Sequence, residues 1–338
     1  MGFTNFSNGV ASFGNPIFPG AVPLMGSRGK AFFVDPARGS DGNRGTDWRQ
    51  PLATVTKAYS LTTDNAGDVV YLLNDGNTSG TSRDTATITW AKDNTHLVGL
   101  CAPTLMSQRA RISPPTSATA IVTPLLKVTG HGNVFANISL FEGTSEDSVA
   151  SVCVEVEGNR NYFYNVAMMN MGDATNGHSG DEAGSAHLLI DGGQENVFEN
   201  CYIGLDTAAR SAANANVRFT KNGTTAATRN VFRNCVFPAF ADAATALFVQ
   251  ASESGGTDRY QLFENCTFIN ATNSTATAMT AAIAHHASTG GHIIIKDCML
   301  VGATDWTASD STVVQLLCHQ WDTTNDINIG IASPVDVS

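Results

Sequence analysis

The sequence predicts an all-β fold, a single-stranded right-handed parallel β-helix, from a repeated motif, its residue alternation and its spacing. The stretch from Asn196 to Gly204, NVFENCYIG, has near copies along the chain, and the polar residue at its fifth position recurs six times. These residues, 28 to 35 positions apart, are Asn137, Asn165, Asn200, Asn234, Asn265 and Asp297. A repeat of this length predicts units that stack, because one unit alone cannot bury its apolar face.

Each repeat has the pattern of a coil built from short strands. Apolar and polar residues alternate around a central Phe or Ile, which is the period of a strand with one buried face. A second apolar run precedes each copy, such as VCVEVEG from Val152. We therefore expect a strand, a tight turn, a second strand, an Asn bend, a short third strand and a variable loop. Strands of successive coils would pair in parallel.

The motif also predicts two ladders of stacked side chains. The Asn of each bend is expected to satisfy local backbone groups and to bond the Asn of the next coil. The cysteine after it is expected to point into the core, where Cys201, Cys235, Cys266 and Cys298 would stack. The seven cysteines include no CxxC pair. Free buried thiols are predicted, with no metal or catalytic role.

Four regions are predicted along the chain. A helix from Pro51 to about Thr63 carries Leu52, Val55 and Ala58 on one face and would cover the N-terminal end of the core. Residues 1–28 are rich in Gly, Pro and Phe without a helix or strand period. The regions are an extended arm over 1–28, the first strand, a loop and the capping helix over 29–68, β-helix coils over 69–320, and a C-terminal cap or tail over 321–338.

Composition excludes several classes of protein. The net charge is −11 and no run of Lys or Arg occurs, so nucleic-acid binding is not expected. The N-terminus lacks the charged and apolar regions of a secretory signal, and no segment approaches eighteen apolar residues. We expect a soluble protein, made in the cytoplasm, with no membrane partner.

Two N-terminal segments resemble known proteins. The stretch FFVDPARGSDGNRGTDWRQPLATVTKAYSLTTDNAGDVVYLL, beginning at Phe32, resembles the start of pectate-lyase-like β-helix proteins. The segment from Thr4 to Gly20, TNFSNGVASFGNPIFPG, is similar to the N-terminal arm of tailed-bacteriophage virion proteins that carry such a β-helix. The resemblance implies a virion protein whose arm docks on a neighbouring subunit.

The sequence predicts no catalytic, cofactor-binding or metal-binding residue, and no cofactor. The acidic residues of the coils are expected on solvated faces or in turns. These are Glu155, Glu157, Asp191, Glu195, Glu199 and Glu264. The loop with Asp35, Asp41 and Asp47 is rich in turns and lacks an EF-hand pattern. The loop 172–187, with Asp173, His178, Asp181, Glu182 and His187, could bind a metal or a sugar, but a long exposed insertion is the simpler interpretation.

These observations predict a non-enzymatic structural protein of a tailed-phage virion. The favoured role is a head decoration or cement protein that docks on the capsid through its arm. Its partners would be the major capsid protein and copies of itself, with a trimer as one arrangement, and it would assemble in the host cytoplasm. The alternative is a tailspike or tail fibre that binds or cleaves a host surface glycan, as a polysaccharide lyase or glycoside hydrolase.

Overall fold

A computed structural model gives the structure of the chain. It describes residues 29–74, 76–77, 80–115, 121–143, 149–171, 179–251, 253–271, 277–286 and 290–307, and the backbone alone at 11–12, 15–16, 313–316 and 319–321. The predicted arm and C-terminal tail therefore lie almost wholly outside the described residues. Within those residues, no helix is long and apolar enough to cross a membrane.

The chain winds as a right-handed parallel β-helix, as predicted. Each turn contributes one strand to each of three parallel sheets. Sheet 1 contains Ala31–Val34, Val69–Leu73, His96–Leu100, Val134–Ala136, Tyr162–Tyr164, Val197–Glu199, Thr225–Arg233, Thr257–Glu264, Gly290–Lys296 and Val313–Leu316.

The other two sheets follow sheet 1 within each turn. Sheet 2 contains Ser82–Arg83, Arg111–Ser113, Ser139–Phe141, Ala167–Met169, Tyr202–Ile203, Val236–Ala239, Thr267–Asn270, Met299–Val301 and His319–Trp321. Sheet 3 contains Ile88–Trp90, Leu126–Val128, Val152–Val156, Ala186–Asp191, Ala215–Asn222, Leu247–Ala251, Met279–His285 and Ala303–Thr307. Short 3₁₀ turns cover Leu105–Ser107 and Ser179–Asp181.

The central aromatic residue of the motif forms the axis of the core. Phe198 stacks on Phe163 and Phe232 with ring centroids 4.6 Å and 4.7 Å apart, and the series continues from Phe135 to Phe263. These spacings equal the separation of paired strands, so neighbouring rings lie in contact. The predicted cysteine ladder lies beside them. Cys201, Cys235, Cys266 and Cys298 are all buried.

The predicted bends require an unusual backbone conformation. All six bend residues have φ between 51° and 54°, the left-handed region that Asn and Asp tolerate better than other non-glycine residues. Asn165 Nδ2 donates to Asn137 Oδ1 at 2.8 Å, and Asn265 Nδ2 donates to Asn234 Oδ1 at 2.7 Å. In the part of the chain that the structure describes, these amides link in pairs and not as one unbroken ladder.

A longer ladder is formed by the first residue of the motif. Asn161 donates its backbone N–H and Nδ2 to Asn196 Oδ1 at 2.9 and 3.1 Å. Asn196 donates in the same way to Asn230, and Asn230 to Gln261. These side chains are buried, so each amide satisfies backbone groups at the turn that leads into sheet 1. The sequence analysis missed this ladder.

The capping helix is shorter than predicted and covers Val55–Leu61. Thr54 Oγ1 accepts a hydrogen bond from Lys57 N at 3.2 Å, which satisfies one free donor of the first turn. Val55 and Ala58 are fully buried in the main core, as expected for its inner face, and Leu52, which precedes the helix, is fully buried there as well. The helix therefore begins after the Pro51 turn and not at Pro51.

Candidate functional site

The outward face of sheet 3 brings together charged residues from three successive coils. Strand register aligns Lys127 with Glu155, and Glu155 with Leu189. The pairing of Val156 with Ile190 places Glu157 beside Asp191 at the end of the same strands. Since facing residues of paired strands lie about 5 Å apart, the four charged side chains form one patch. We call Lys127, Glu155, Glu157 and Asp191 the carboxylate–lysine cluster.

The geometry of the cluster is close. Carboxylate oxygens of Glu155, Glu157 and Asp191 all lie within 4.8 Å of one another. Lys127 Nζ lies 2.8 Å from Glu155 Oε1 and 2.6 Å from Glu157 Oε1. Thr220 Oγ1 donates to Asp191 Oδ1 at 2.7 Å and holds that carboxylate in place. The three acids could ligate a metal ion together, but it would compete with the Lys127 ammonium.

The surroundings of Lys127 and Glu155 shift the pKa values of both side chains. Burial raises the pKa of Glu155, and the nearby Glu157 carboxylate adds to this, while Lys127 opposes both. Burial alone would lower the pKa of Lys127, but its hydrogen bonds to the two glutamates outweigh it and the pKa rises. Glu155 therefore holds a proton more readily than a free carboxyl group does, and Lys127 stays charged.

A cleft opens on the same face toward the C-terminal coils. Arg218 aligns with Gln250, and Gln250 with Ala284, so the column that begins at Lys127 continues into the cleft. The cleft has a volume of about 480 Å³, and its other lining residues include Leu247, Thr280, His285 and Thr307. Its lining side chains are small and mostly neutral. The carboxylate–lysine cluster and the cleft therefore share one outward face.

The structure places the other sequence candidates apart from this patch. Asp41 accepts hydrogen bonds from the backbone of Ala53 and from Thr54, and Asp35 and Asp47 each cap their own turn. This loop is held by its acids, as expected of a turn-rich loop. Asp173 and His178 lie outside the described residues. His187 is fully buried and does not belong to an exposed loop.

The outward face of sheet 1 carries an apolar column of side chains, which the sequence did not predict. One outward column runs through six successive coils and is only partly buried. Its members are Val134, Tyr162, Val197, Val231, Leu262 and Ile294. The next outward column carries charges of alternating sign in the coils toward the C-terminus. There Arg233 and Lys296 both bond Glu264, at 3.0 and 2.5 Å.

Comparisons with known proteins identify the fold. No protein-family model and no curated protein matches the chain. Among solved structures, the pectin methylesterase of Aspergillus niger matches 90% of this chain and 91% of its own, with 14% identity and a TM-score of 0.58. A pectate lyase matches 85% of this chain and 68% of its own, with 14% identity and a TM-score of 0.55.

Two further solved structures match the chain. A rhamnogalacturonan lyase matches 80% of this chain and 68% of its own, with 16% identity and a TM-score of 0.54. A Geobacillus virus E2 protein, ORF18, matches with a TM-score of 0.32, a value too low to bear on function. At these identities the similarity establishes a pectate-lyase-like parallel β-helix and nothing finer.

The expectation of a non-enzymatic protein is wrong on this comparison. The pectin methylesterase, pectate lyase and rhamnogalacturonan lyase that share the fold are polysaccharide-acting enzymes, so the β-helix itself gives no ground for a purely structural role. The expectation also assumed that the acids are scattered over solvated faces. The pairing of Val156 with Ile190, 34 residues later, instead brings Glu155, Glu157 and Asp191 into one patch.

Proposed function

We propose that the protein cleaves a polysaccharide bound across the outward face of sheet 3. The observation that carries the proposal is the juxtaposition of Glu155, Glu157 and Asp191, with carboxylate oxygens within 4.8 Å, on neighbouring coils. The names of the similar solved structures, a pectin methylesterase, a pectate lyase and a rhamnogalacturonan lyase, support a polysaccharide as the substrate class.

Paired carboxylates at this distance suit glycoside hydrolysis. Retaining glycosidases hold two carboxyl groups about 5 Å apart, one as proton donor and one as nucleophile. In this proposal Glu155, whose pKa is raised by burial, gives its proton to the glycosidic oxygen as that bond breaks. Asp191 forms the new bond to the anomeric carbon, and water deprotonated by Glu155 then releases the sugar.

The surroundings of the two acids fit these roles. Thr220 donates to Asp191 Oδ1 and leaves the other carboxylate oxygen for substrate. Lys127 bonds both Glu155 and Glu157, holds them in fixed positions, and offsets the negative charge of Glu157. The cleft near Gln250 lies three coils away along the same column, about 15 Å, and gives room for further sugar units.

The test is a screen of the purified protein on plant, bacterial capsular and cell-wall polysaccharides. New reducing ends without an unsaturated sugar would support hydrolysis, and their loss in Glu155→Gln would assign it to the cluster. Unsaturated product ends would replace hydrolysis by a lyase reaction. Equal cleavage by Glu155→Gln and the wild type would overturn the proposed site, and no cleavage across the panel would overturn the proposed function.

We also propose that the protein is a virion component that assembles through the apolar column of sheet 1. The partly exposed column from Val134 to Ile294 supports this, because long apolar strips are uncommon on monomeric proteins. The partners in this proposal are copies of the chain and a major capsid or tail protein, with the arm over 1–28 as a second contact. Detection of the chain in purified phage particles would support it, and its absence from them would refute it.

A further inference from the structure

Arg210 is buried inside the molecule, between sheet 2 and sheet 3. It follows the strand Tyr202–Ile203 and is 1% exposed. Its backbone N donates to Phe240 O at 2.8 Å and its carbonyl accepts from Asp242 N at 3.1 Å, so the main chain fixes its position. The side chain reaches one acceptor, Leu247 O, through Nη2 at 3.3 Å.

The rest of the guanidinium has no protein partner. Arg210 Nε and Nη1 are buried and make no hydrogen bond, and no carboxylate among the described residues forms an ion pair with Arg210. Burial lowers the pKa of Arg210 to about 9, so it still carries its charge at neutral pH. An isolated buried charge is strongly unfavourable, and native proteins pair it or neutralise it.

His187 supplies another donor beside this charge. Its Nδ1 accepts a hydrogen bond from Asn170 N at 2.8 Å, so the proton of the neutral ring is on Nε2. That Nε2 is buried and has no partner. Burial and the positive charge of Arg210 lower the pKa of His187 well below its usual value. The ring is therefore neutral, lies within the field of the guanidinium, and directs an N–H into the interior.

Water alone does not resolve this arrangement. Water accepts from an N–H but leaves the guanidinium charge uncompensated. Two acceptors in the same region, Asn214 Oδ1 and Asn216 Oδ1, are also without partners, and strand register places Asn216 beside His187. Water would suit these amide oxygens, whereas the three donor nitrogens of Arg210 and His187 call for an anion.

We propose that a small monovalent inorganic anion of the chloride type binds between Arg210 and His187. Arg210 Nε and Nη1 and His187 Nε2 donate to it, and its charge compensates the guanidinium. Leu247, whose carbonyl accepts from Arg210, also lines the cleft of sheet 3, which gives the anion a route for exchange. The anion stabilises the junction between sheets 2 and 3.

Crystals of the full chain grown in bromide test the site without mutation. We expect an anomalous peak in contact with Arg210 Nε or Nη1. Bromide-containing crystals with only water, or with nothing, at this position would overturn the proposal, as would a protein acceptor in contact with both nitrogens.

Thermal stability gives an independent measurement. At constant ionic strength, replacing a bulky organic anion by about 0.1 M chloride is expected to raise the melting temperature by several degrees. Arg210→Met should lose this increase. Arg218→Met is the matched control, because Arg218 is only partly buried and donates to Gly184 O. Equal chloride dependence in the wild type and Arg210→Met would refute the site, and if Arg210→Met does not fold, the bromide crystals decide.

Discussion

Asn230 Oδ1 accepts two hydrogen bonds from Asn196, from its backbone N at 3.0 Å and from its Nδ2 at 3.1 Å. Each such amide serves two coils, because Asn230 in turn donates to Gln261 Oε1. The bonds lie where sheet 3 turns into sheet 1 and are shielded from water. Successive coils are therefore joined by side-chain bonds as well as by strand pairing.

Replacement of Asn230 should reveal how much this ladder contributes. Asn230→Ala leaves the backbone N–H and one of the two Nδ2 N–H groups of Asn196 without a partner, so we expect the free energy of unfolding to fall by about 2–4 kcal/mol. Asn234→Ala removes the same amide four residues later at an exposed bend, where we expect about 1 kcal/mol from the left-handed backbone. Urea unfolding of both variants measures the difference. Equal losses would show that the buried ladder adds nothing.

His96 is expected to make the fold sensitive to acid. Burial lowers the pKa of His96 to about 4, and its Nδ1 accepts from Val134 N at 3.1 Å. Below pH 6.5 the unfolded chain takes up a proton that the folded chain does not, so stability is complete above pH 6.5 and is lost as pH falls toward 4. The loss is about 3 kcal/mol from this residue.

Stability measured at a series of pH values checks this prediction. His96→Gln keeps an acceptor but cannot titrate, so its stability should fall less steeply than that of the wild type between pH 6.5 and 4. Comparison of the two proteins at pH 8 separates the titration from any packing defect. Parallel curves would contradict the assignment.

The core cysteines should be unreactive in the folded protein. Burial raises the pKa of Cys153 and of Cys235, and both thiols are inaccessible. In a chain with Cys101→Ser and Cys318→Ser, we expect no reaction with an aromatic disulfide reagent at pH 8, and five thiols after denaturation. Rapid labelling of the native variant would show that the coils open readily.

Activity variants should separate Glu155 from a glutamate outside the carboxylate–lysine cluster. If the protein hydrolyses a polysaccharide, Glu155→Gln should lower kcat by about 100-fold or more, because it removes the proton donor. Glu195→Gln is the control, since Glu195 is only partly buried and bonds Arg160 and Arg229 at a turn outside the cluster. Similar losses in both variants would point to a general defect, and circular dichroism would confirm folding.

The apolar column of sheet 1 should control self-association. Leu262→Glu places a charge in the partly exposed column, so we expect the oligomer to shift toward monomer in sedimentation experiments. Thr267→Glu adds the same charge on the outward face of sheet 2 and should leave association unchanged. A wild-type protein that is monomeric at high concentration would contradict assembly through copies of itself.

The fold could be predicted because few other residue types can take the place of those that define the repeat. Phe at the stacked position and Asn at φ near 53° recur in every central coil, so their spacing gives the coil length directly. The buried ladder was visible in the same motif, as the Asn that precedes each Val-Phe or Tyr-Phe pair. The sequence alone does not single it out, because the Asn at the bend already accounts for the repeat.

The candidate site could not be predicted because it depends on register between coils of different length. Glu157 and Asp191 are neighbours only because the turn after Val156 aligns with the turn after Ile190. Lys127 faces Glu155 only because strand pairing aligns the apolar run before the first motif copy with the run before the second. Burial of Arg210 has no sequence signal either, since it sits in a polar loop whose path is set by backbone bonds to Phe240 and Asp242.

The stacking of Phe198, Phe232 and Phe263 at 4.5 to 4.7 Å has a consequence for how such a chain can lengthen. Each central coil presents the same ring, amide and strand edges to the coil before it and the coil after it. A duplicate of one coil would therefore fit beside the original and make the same kinds of stacking contact. Gene duplication within the β-helix could thus extend the molecule in steps of one strand separation while both ends stay unchanged.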